Sequence, residues 1–188
     1  MTSERMPAIA PETMTAAQRT AADEITAGRR GGVVGPFIAA LRSPECMRRL
    51  QHFGAYLRYD SNIDPRLREL VILLTARYWL QDYEWVTHES SARDAGLAPA
   101  TIDAIRTGTK PPELAPDEAT IIDLCAVLLF EDGRVPDALY ARAVDVLGEA
   151  GFIDVVSAVG YYSTLALLMN ATRTALPAGT VAPRWGSG

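Results

Sequence analysis

The chain contains two histidines, and the chemistry its residues can do turns on one of them. His88 ends the run Gln81-Asp82-Tyr83-Glu84-Trp85-Val86-Thr87-His88. With Asp82 as a helix cap, Glu84 falls in the first turn and His88 one turn later. Positions i and i+4 share a helix face, and Gln81 precedes them on roughly the same side. Imidazole titrates near neutrality, so beside a carboxylate it makes a proton-transfer pair. The pairing favours imidazolium, and the positive end of the helix favours ionised Glu84. Such a pair also suits binding or polarising an anionic substrate. The same spacing commonly forms nothing more than a solvated ion pair. His52, in Gln51-His52-Phe53-Gly54, reads as a packed or surface residue.

Other chemistries find no residues. Two histidines, no H-E-x-x-H and no clustered cysteines fall short of a metal ligand set, so no metal is expected. Gly31-Gly32 and Gly35 lack the Lys-Ser/Thr that completes a phosphate loop. Cys46 and Cys125 lie far apart and form no C-x-x-C. Cys125 reads as core, and Cys46 as a thiol near a helix start.

The elements that must position these residues read as helices nearly throughout, an all-α fold of about seven to nine helices. Residues 1–13 read as a flexible arm, 14–176 as one helical domain and 177–188 as a flexible tail. Thr15 to Arg29 is a first helix, ended by Gly31-Gly32. Ser43-Pro44-Glu45 starts another that runs to about Tyr59, with Ser as cap, Pro at the first position and Glu in the first turn. Asp64-Pro65 repeats the signal and opens Arg66 to Leu80, where Leu67, Leu70, Val71, Leu74 and Tyr78 form a buried stripe. A helix from Asp82 ends at Gly96, and a short one runs from Ala98-Pro99 to Gly108. Asp117 to Phe130 is strongly apolar and central. Pro136 to Ala150 forms a helix closed by Gly151, and Phe152 to Ala175 is an apolar helix for the core or an oligomer contact.

At 188 residues the chain suits one domain with a sizeable core. A net charge of -5, with Arg29-Arg30 and Arg48-Arg49 as the only dense basic pairs, argues against a nucleic-acid surface. The first residues lack the apolar run of a signal peptide, and no stretch approaches 18 apolar residues, so no membrane partner and a cytoplasmic location are expected.

Several blocks then carry a resemblance. Arg66-Leu67-Arg68-Glu69-Leu70-Val71-Ile72-Leu73, Tyr83 to His88, and Ala92-Arg93-Asp94-Ala95-Gly96-Leu97 resemble the core of carboxymuconolactone decarboxylase-like proteins, which share a fold with the alkylhydroperoxidase D group. The likeness includes Ile105 to Gly108 and Asp117-Glu118, reaches loosely to Gly160-Tyr161-Tyr162, and spans about residues 36–175. It implies a small carboxylated substrate, no cofactor, and assembly into dimers, trimers or hexamers. The hydroperoxidase group carries a Glu, a C-x-x-C and a His four residues after the second Cys. On this chain the Glu falls on Glu69 and the His on His88, while the thiol positions hold Gln81 and Glu84. A thiol-dependent peroxide reduction needs an attacking thiolate and a resolving partner, and Gln and Glu supply neither.

Glu69 and His88 stand 19 residues apart, about 100° out of line on one continuous helix. They can face each other only if the helix breaks, and Gln81-Asp82 is a suitable break. The expected catalytic set is therefore His88, Glu84 and Glu69, with Gln81, Tyr83 and Arg77 as substrate-binding candidates. The competing reading of Glu69 is a surface ion pair with Arg66 or Arg68. The implied function is cofactor-free acid–base chemistry, a decarboxylation or a related isomerisation or hydrolysis. The alternatives are a non-catalytic binding protein of the same fold and, with less support, a hydroperoxidase.

Overall fold

The computed structural model describes residues 3–186, and among them every regular element is a helix. The eight α-helices are α1 (Ala16–Ala27), α2 (Pro36–Ala40), α3 (Pro44–Tyr59), α4 (Pro65–Tyr78), α5 (Asp82–Asp94), α6 (Pro99–Thr107), α7 (Pro116–Phe130) and α8 (Asp137–Thr172). A short 3₁₀ turn, Pro11–Thr13, precedes them. The expected all-α class and helix number hold.

The starts follow from residue chemistry. Thr15 and Gln18 form a reciprocal capping box at α1. Pro occupies the first turn of α2, α3, α4, α6 and α7, where its missing N–H is no loss. The Asp64 carboxylate accepts from the amides of Arg66 and Leu67 and opens α4. At α5 the cap is Gln81 rather than Asp82: its side-chain oxygen accepts from the Tyr83 and Glu84 amides. Asp82 is the first helical residue.

The helix α4 is the axis of the molecule and packs against α5, α7 and α8. Its Leu70, Val71, Ile72 and Leu73 are all fully buried, which a helix shows only when neighbours cover it on every side. Each such side chain contributes roughly 1.5–3 kcal/mol through burial. A second cluster joins α1, α2 and α3 through Ile25, Phe37, Leu41 and Met47. Between the two, Asp154 of α8 accepts from the Tyr56 hydroxyl and the Asn62 amide, tying the end of α3 to α8.

Three residues break the path from α4 to α5. Trp79 closes α4, Leu80 takes φ 47°, and Gln81 caps α5. Asn170 of α8 holds this corner, donating to the Trp79 carbonyl and accepting from Gln81 Nε2. The left-handed region costs a branched residue roughly 1–2 kcal/mol. Leu80 is half exposed, so Leu80→Asn should remove part of that strain without opening the core. A thermal melt should show a small rise in Tm; a fall would mean that the Leu80 side chain packs productively.

The last two expected helices follow one another across a kink within α8. The backbone of α8 departs from helical geometry at Gly148 (φ 69°), three residues before the expected end at Gly151. The positive φ suits glycine and lets α8 bend around α7. An 18-residue window of α8 has a mean hydropathy of 1.6 and is half buried. By length and composition alone it could cross a membrane, although the sequence holds no uninterrupted apolar run. Its burial against α4 and α7 is that of a core helix, with Ile153 and Leu167 on the exposed side.

Both terminal segments lie on the body. The amide of Arg5 donates to the Thr172 carbonyl, and Arg42 donates to that of Pro7. At the other end, Trp185 packs edge-on against Trp85 and donates to Asp82, while Gly186 donates to the Arg106 carbonyl.

Candidate active site

The break between α4 and α5 swings α5 back along α4, and Glu69 meets His88. Glu69 Oε2 lies 2.7 Å from His88 Nδ1, and both side chains are almost fully buried. Glu84, one turn before His88, places Oε2 at 3.5 Å from Nε2. The three expected catalytic side chains therefore converge, and Glu69 is not a surface ion pair. Arg66 instead pairs with Asp117 and Glu118, and only Arg68, at 3.7 Å, stays near Glu69.

The two carboxyls are pushed in opposite directions. Burial opposes ionisation of Glu69, but the hydrogen bond and charge of His88, with Arg68 and Arg58 beyond, outweigh it and hold the group below the usual range. An ionised Glu69 can only accept, so Nδ1 carries the proton of this bond and Nε2 faces Glu84. At Glu84 burial wins over the attraction of His88, Arg30 and Arg58 and pushes the carboxyl up. One carboxylate orients the imidazole, and a second carboxyl leans toward its neutral form at the other nitrogen. Paired groups pushed apart in this way divide acid and base roles.

Glu84 also makes a stability prediction. A folded pKa above the unfolded value means that the native state binds the extra proton, so the group's contribution is complete below the ordinary carboxyl range. It is lost as pH rises through the folded pKa. Glu84→Gln keeps the neutral shape, so its Tm should match the parent near about pH 4 and exceed it near about pH 8. Equal melts at both pH values would mean that Glu84 ionises freely.

His88 and Glu84 open onto a cavity of about 320 Å³ between α5, α8, the end of α3 and the connection from α1 to α2. The Tyr162 ring stands edge-on to the His88 ring at 5.5 Å, and burial pushes its phenol far up. Tyr161 is pushed up to about 12 by burial, so both phenols stay protonated donors. Arg29, Arg30 and Arg58 lie on the wall. Arg29 pairs with Asp60 at 3.0 Å. Among the described residues Arg30 and Arg58 have no ion-pair partner, and no three His, Cys, Asp or Glu side chains group to hold a metal ion.

The remaining expected residues divide. Tyr83 lines the cavity. Gln81 does not: its amide is used by the cap and by Asn170. Arg77 lies at the far end of α4, where it reaches the Gly186 carbonyl and sits over the Trp185 ring. The groups that sequence reasoning missed are Arg30, Arg58, Tyr161 and Tyr162. Only the loose likeness at Gly160-Tyr161-Tyr162 pointed toward any of them.

These features define an all-helical protein of alkylhydroperoxidase D-like fold with a buried Glu–His pair at the head of a cavity. Residues 44–124, from the start of α3 into α7, match the Carboxymuconolactone decarboxylase family. Solved structures agree in fold. An uncharacterised peroxidase-related protein of Ralstonia eutropha, with an alkylhydroperoxidase AhpD core, superposes with a TM-score of 0.77 at 14% identity, covering 95% of this chain and 94% of its own. A peroxidase-related protein of Silicibacter gives 0.74 at 12% identity, with coverages of 95% and 96%. The debrominase Bmp8, solved as a cysteine-to-alanine variant with a tribromopyrrole, gives 0.68 at 9% identity, with coverages of 95% and 94%. No curated protein sequence matches the chain.

Proposed function

We propose that this protein is a proton-transfer enzyme of the carboxymuconolactone decarboxylase type, acting without a cofactor on a small carboxylated lactone or related organic acid. The observation that carries this reading is the buried imidazole of His88. One nitrogen is clamped by Glu69; the other faces Glu84 at a cavity with arginines on its wall. In a decarboxylation here, the bond from the ring carbon to its carboxylate breaks and CO2 leaves. The electron pair stays on carbon as an enolate-type anion. A proton from the Nε2 side of His88, or from the neutral form of Glu84, closes that charge, and solvent restores the donor. The same pair serves isomerisation or lactone hydrolysis by moving one proton. The debrominase among the structural relatives supports a catalytic use of the fold and says nothing of this substrate.

A thiol-dependent hydroperoxidase has less support. Gln81 and Glu84 stand at the thiol positions, buried Cys125 has its thiol pushed up to about 12, and Cys46 lies exposed on α3. The test uses purified protein in D2O with carboxymuconolactone and simpler carboxylated γ-lactones. Release of CO2 with deuterium on the carbon that bore the carboxyl, deuterium exchange into the ring, or opening of the lactone is the expected result. None of these across the series would reject the acid–base reading and leave a binding protein of the same fold.

A further inference from the structure

Two polar atoms on the cavity wall, Arg30 Nε and the Tyr161 hydroxyl oxygen, are buried without a hydrogen bond of good geometry. Arg30, in the connection from α1 to α2, lays its guanidinium over the Phe37 ring at 4.5 Å, and its Nε makes no hydrogen bond. Tyr161 of α8 is 4% exposed, and its hydroxyl makes no hydrogen bond of good geometry, with the Arg30 guanidinium as its near neighbour. That hydroxyl is pressed against α3 at Gly54, where an added Cβ would stand 1.9 Å from it. Its ring is held edge-on by Phe53 at 5.8 Å and Tyr162 at 5.2 Å. The Tyr161 ring is held in place by these contacts, and a buried donor left without an acceptor is costly.

The surroundings decide what completes them. Arg30 and Arg58 bring two positive charges to the cavity without ion-pair partners, against one carboxylate held ionised, Glu69. A guanidinium fork matches a planar carboxylate with two parallel N–H donors, and a protonated phenol adds a third. The rings of Phe37, Tyr59, Tyr83 and Tyr162 on the same wall suit a flat apolar body behind that anion.

We infer that Arg30 and Tyr161 are the seat for a ligand carboxylate attached to a flat ring, and that they orient the ring against His88. They are positioning residues: they hold the ligand, and they pass no proton. This deepens the acid–base reading, since the value of the orientation rests on His88 doing the chemistry. The anion seat itself needs no turnover to be measured.

Benzoate and its uncharged isostere benzamide are the probes, titrated calorimetrically onto the full chain. Benzoate should bind at least about tenfold more tightly than benzamide, the span of a charge-assisted hydrogen bond. Arg30→Gln should weaken benzoate about 10–100-fold, and Arg30→Lys should recover only part, because an ammonium lacks the fork. Tyr161→Phe, which keeps the ring and its packing, should weaken benzoate about three- to tenfold. His88→Asn should leave benzoate binding within about threefold while lowering turnover about 10²–10⁴-fold, so the two readings fail separately. Circular dichroism and melts confirm that each variant is folded; should Arg30→Gln fail to fold, Arg30→Lys and Tyr161→Phe carry the test. No benzoate binding by the parent, equal affinity for both probes, or benzoate affinity unchanged in the Arg30 variants would overturn the seat.

Discussion

His88→Asn should lower turnover of the carboxylated lactone by about 10²–10⁴-fold, with KM little changed and Tm close to the parent. Asparagine is chosen because its amide nitrogen stands near the place of Nδ1 and can still donate to Glu69. The buried carboxylate then keeps a partner while the titrating imidazole is gone. Alanine would mix two effects. It removes the proton carrier and also strands Glu69 as a buried charge, a loss of about 3–5 kcal/mol for a broken buried pair. The companion variant Glu69→Gln keeps the shape and removes the charge that fixes the tautomer. It should cost less than His88→Asn, because the imidazole stays in place and loses only the carboxylate that orients it. Turnover of His88→Asn within about tenfold of the parent would remove His88 from the chemistry.

The second large effect is on folding. Gly54→Ala should destabilise the protein although alanine is the better helix former by about 1 kcal/mol. The new Cβ would lie 1.9 Å from the Tyr161 hydroxyl and 2.3 Å from its ring carbon, inside contact distance. Tyr161 cannot move aside cheaply, since Phe53, Tyr162 and the α8 backbone hold its ring. Overpacking of this kind costs about 1–3 kcal/mol and occasionally more, so the net effect is a clear fall in Tm. Tyr161→Phe in the same chain should recover part of the loss, because the hydroxyl is the nearest clashing atom. An unchanged or raised melt for Gly54→Ala would show that α3 and α8 can separate locally. The displaced phenol should also weaken benzoate binding, which links the packing of α3 to the cavity.

What was legible in the sequence is what local chemistry decides. The cap at Asp64 and the first-turn prolines Pro44, Pro65 and Pro99 specify where helices begin, since each satisfies or forgoes a backbone N–H within one turn. The spacing of Glu84 and His88 puts them on one face of any helix that contains both. The resemblance added Glu69, and the 100° mismatch required a break near residue 81, where α4 and α5 do part. Smaller details went astray for local reasons. Gln81 took the cap because its longer amide reaches two amides and Asn170 together. Gly148 rather than Gly151 took the left-handed conformation, and Gly151 stayed helical and buried.

The cavity belongs to the tertiary structure. Arg77 looked suited to the substrate because it shares a stripe with Gln81 and Glu84 on an unbroken helix, and the same break that joins Glu69 to His88 carries it away. Arg30 and Arg58 come from the α1–α2 connection and α3 with nothing in their neighbours to mark them, and Tyr161 of α8 was touched only by the loose likeness at Gly160-Tyr161-Tyr162. Periodicity fixes which side of a helix faces inward, and it carries no information about which other helix lies opposite. That pairing comes from the packing of α5 and α8 on α4 and of α3 on α8, so the sequence by itself named Glu84 and His88, and only the folded chain brought Arg30, Arg58 and Tyr161 to them.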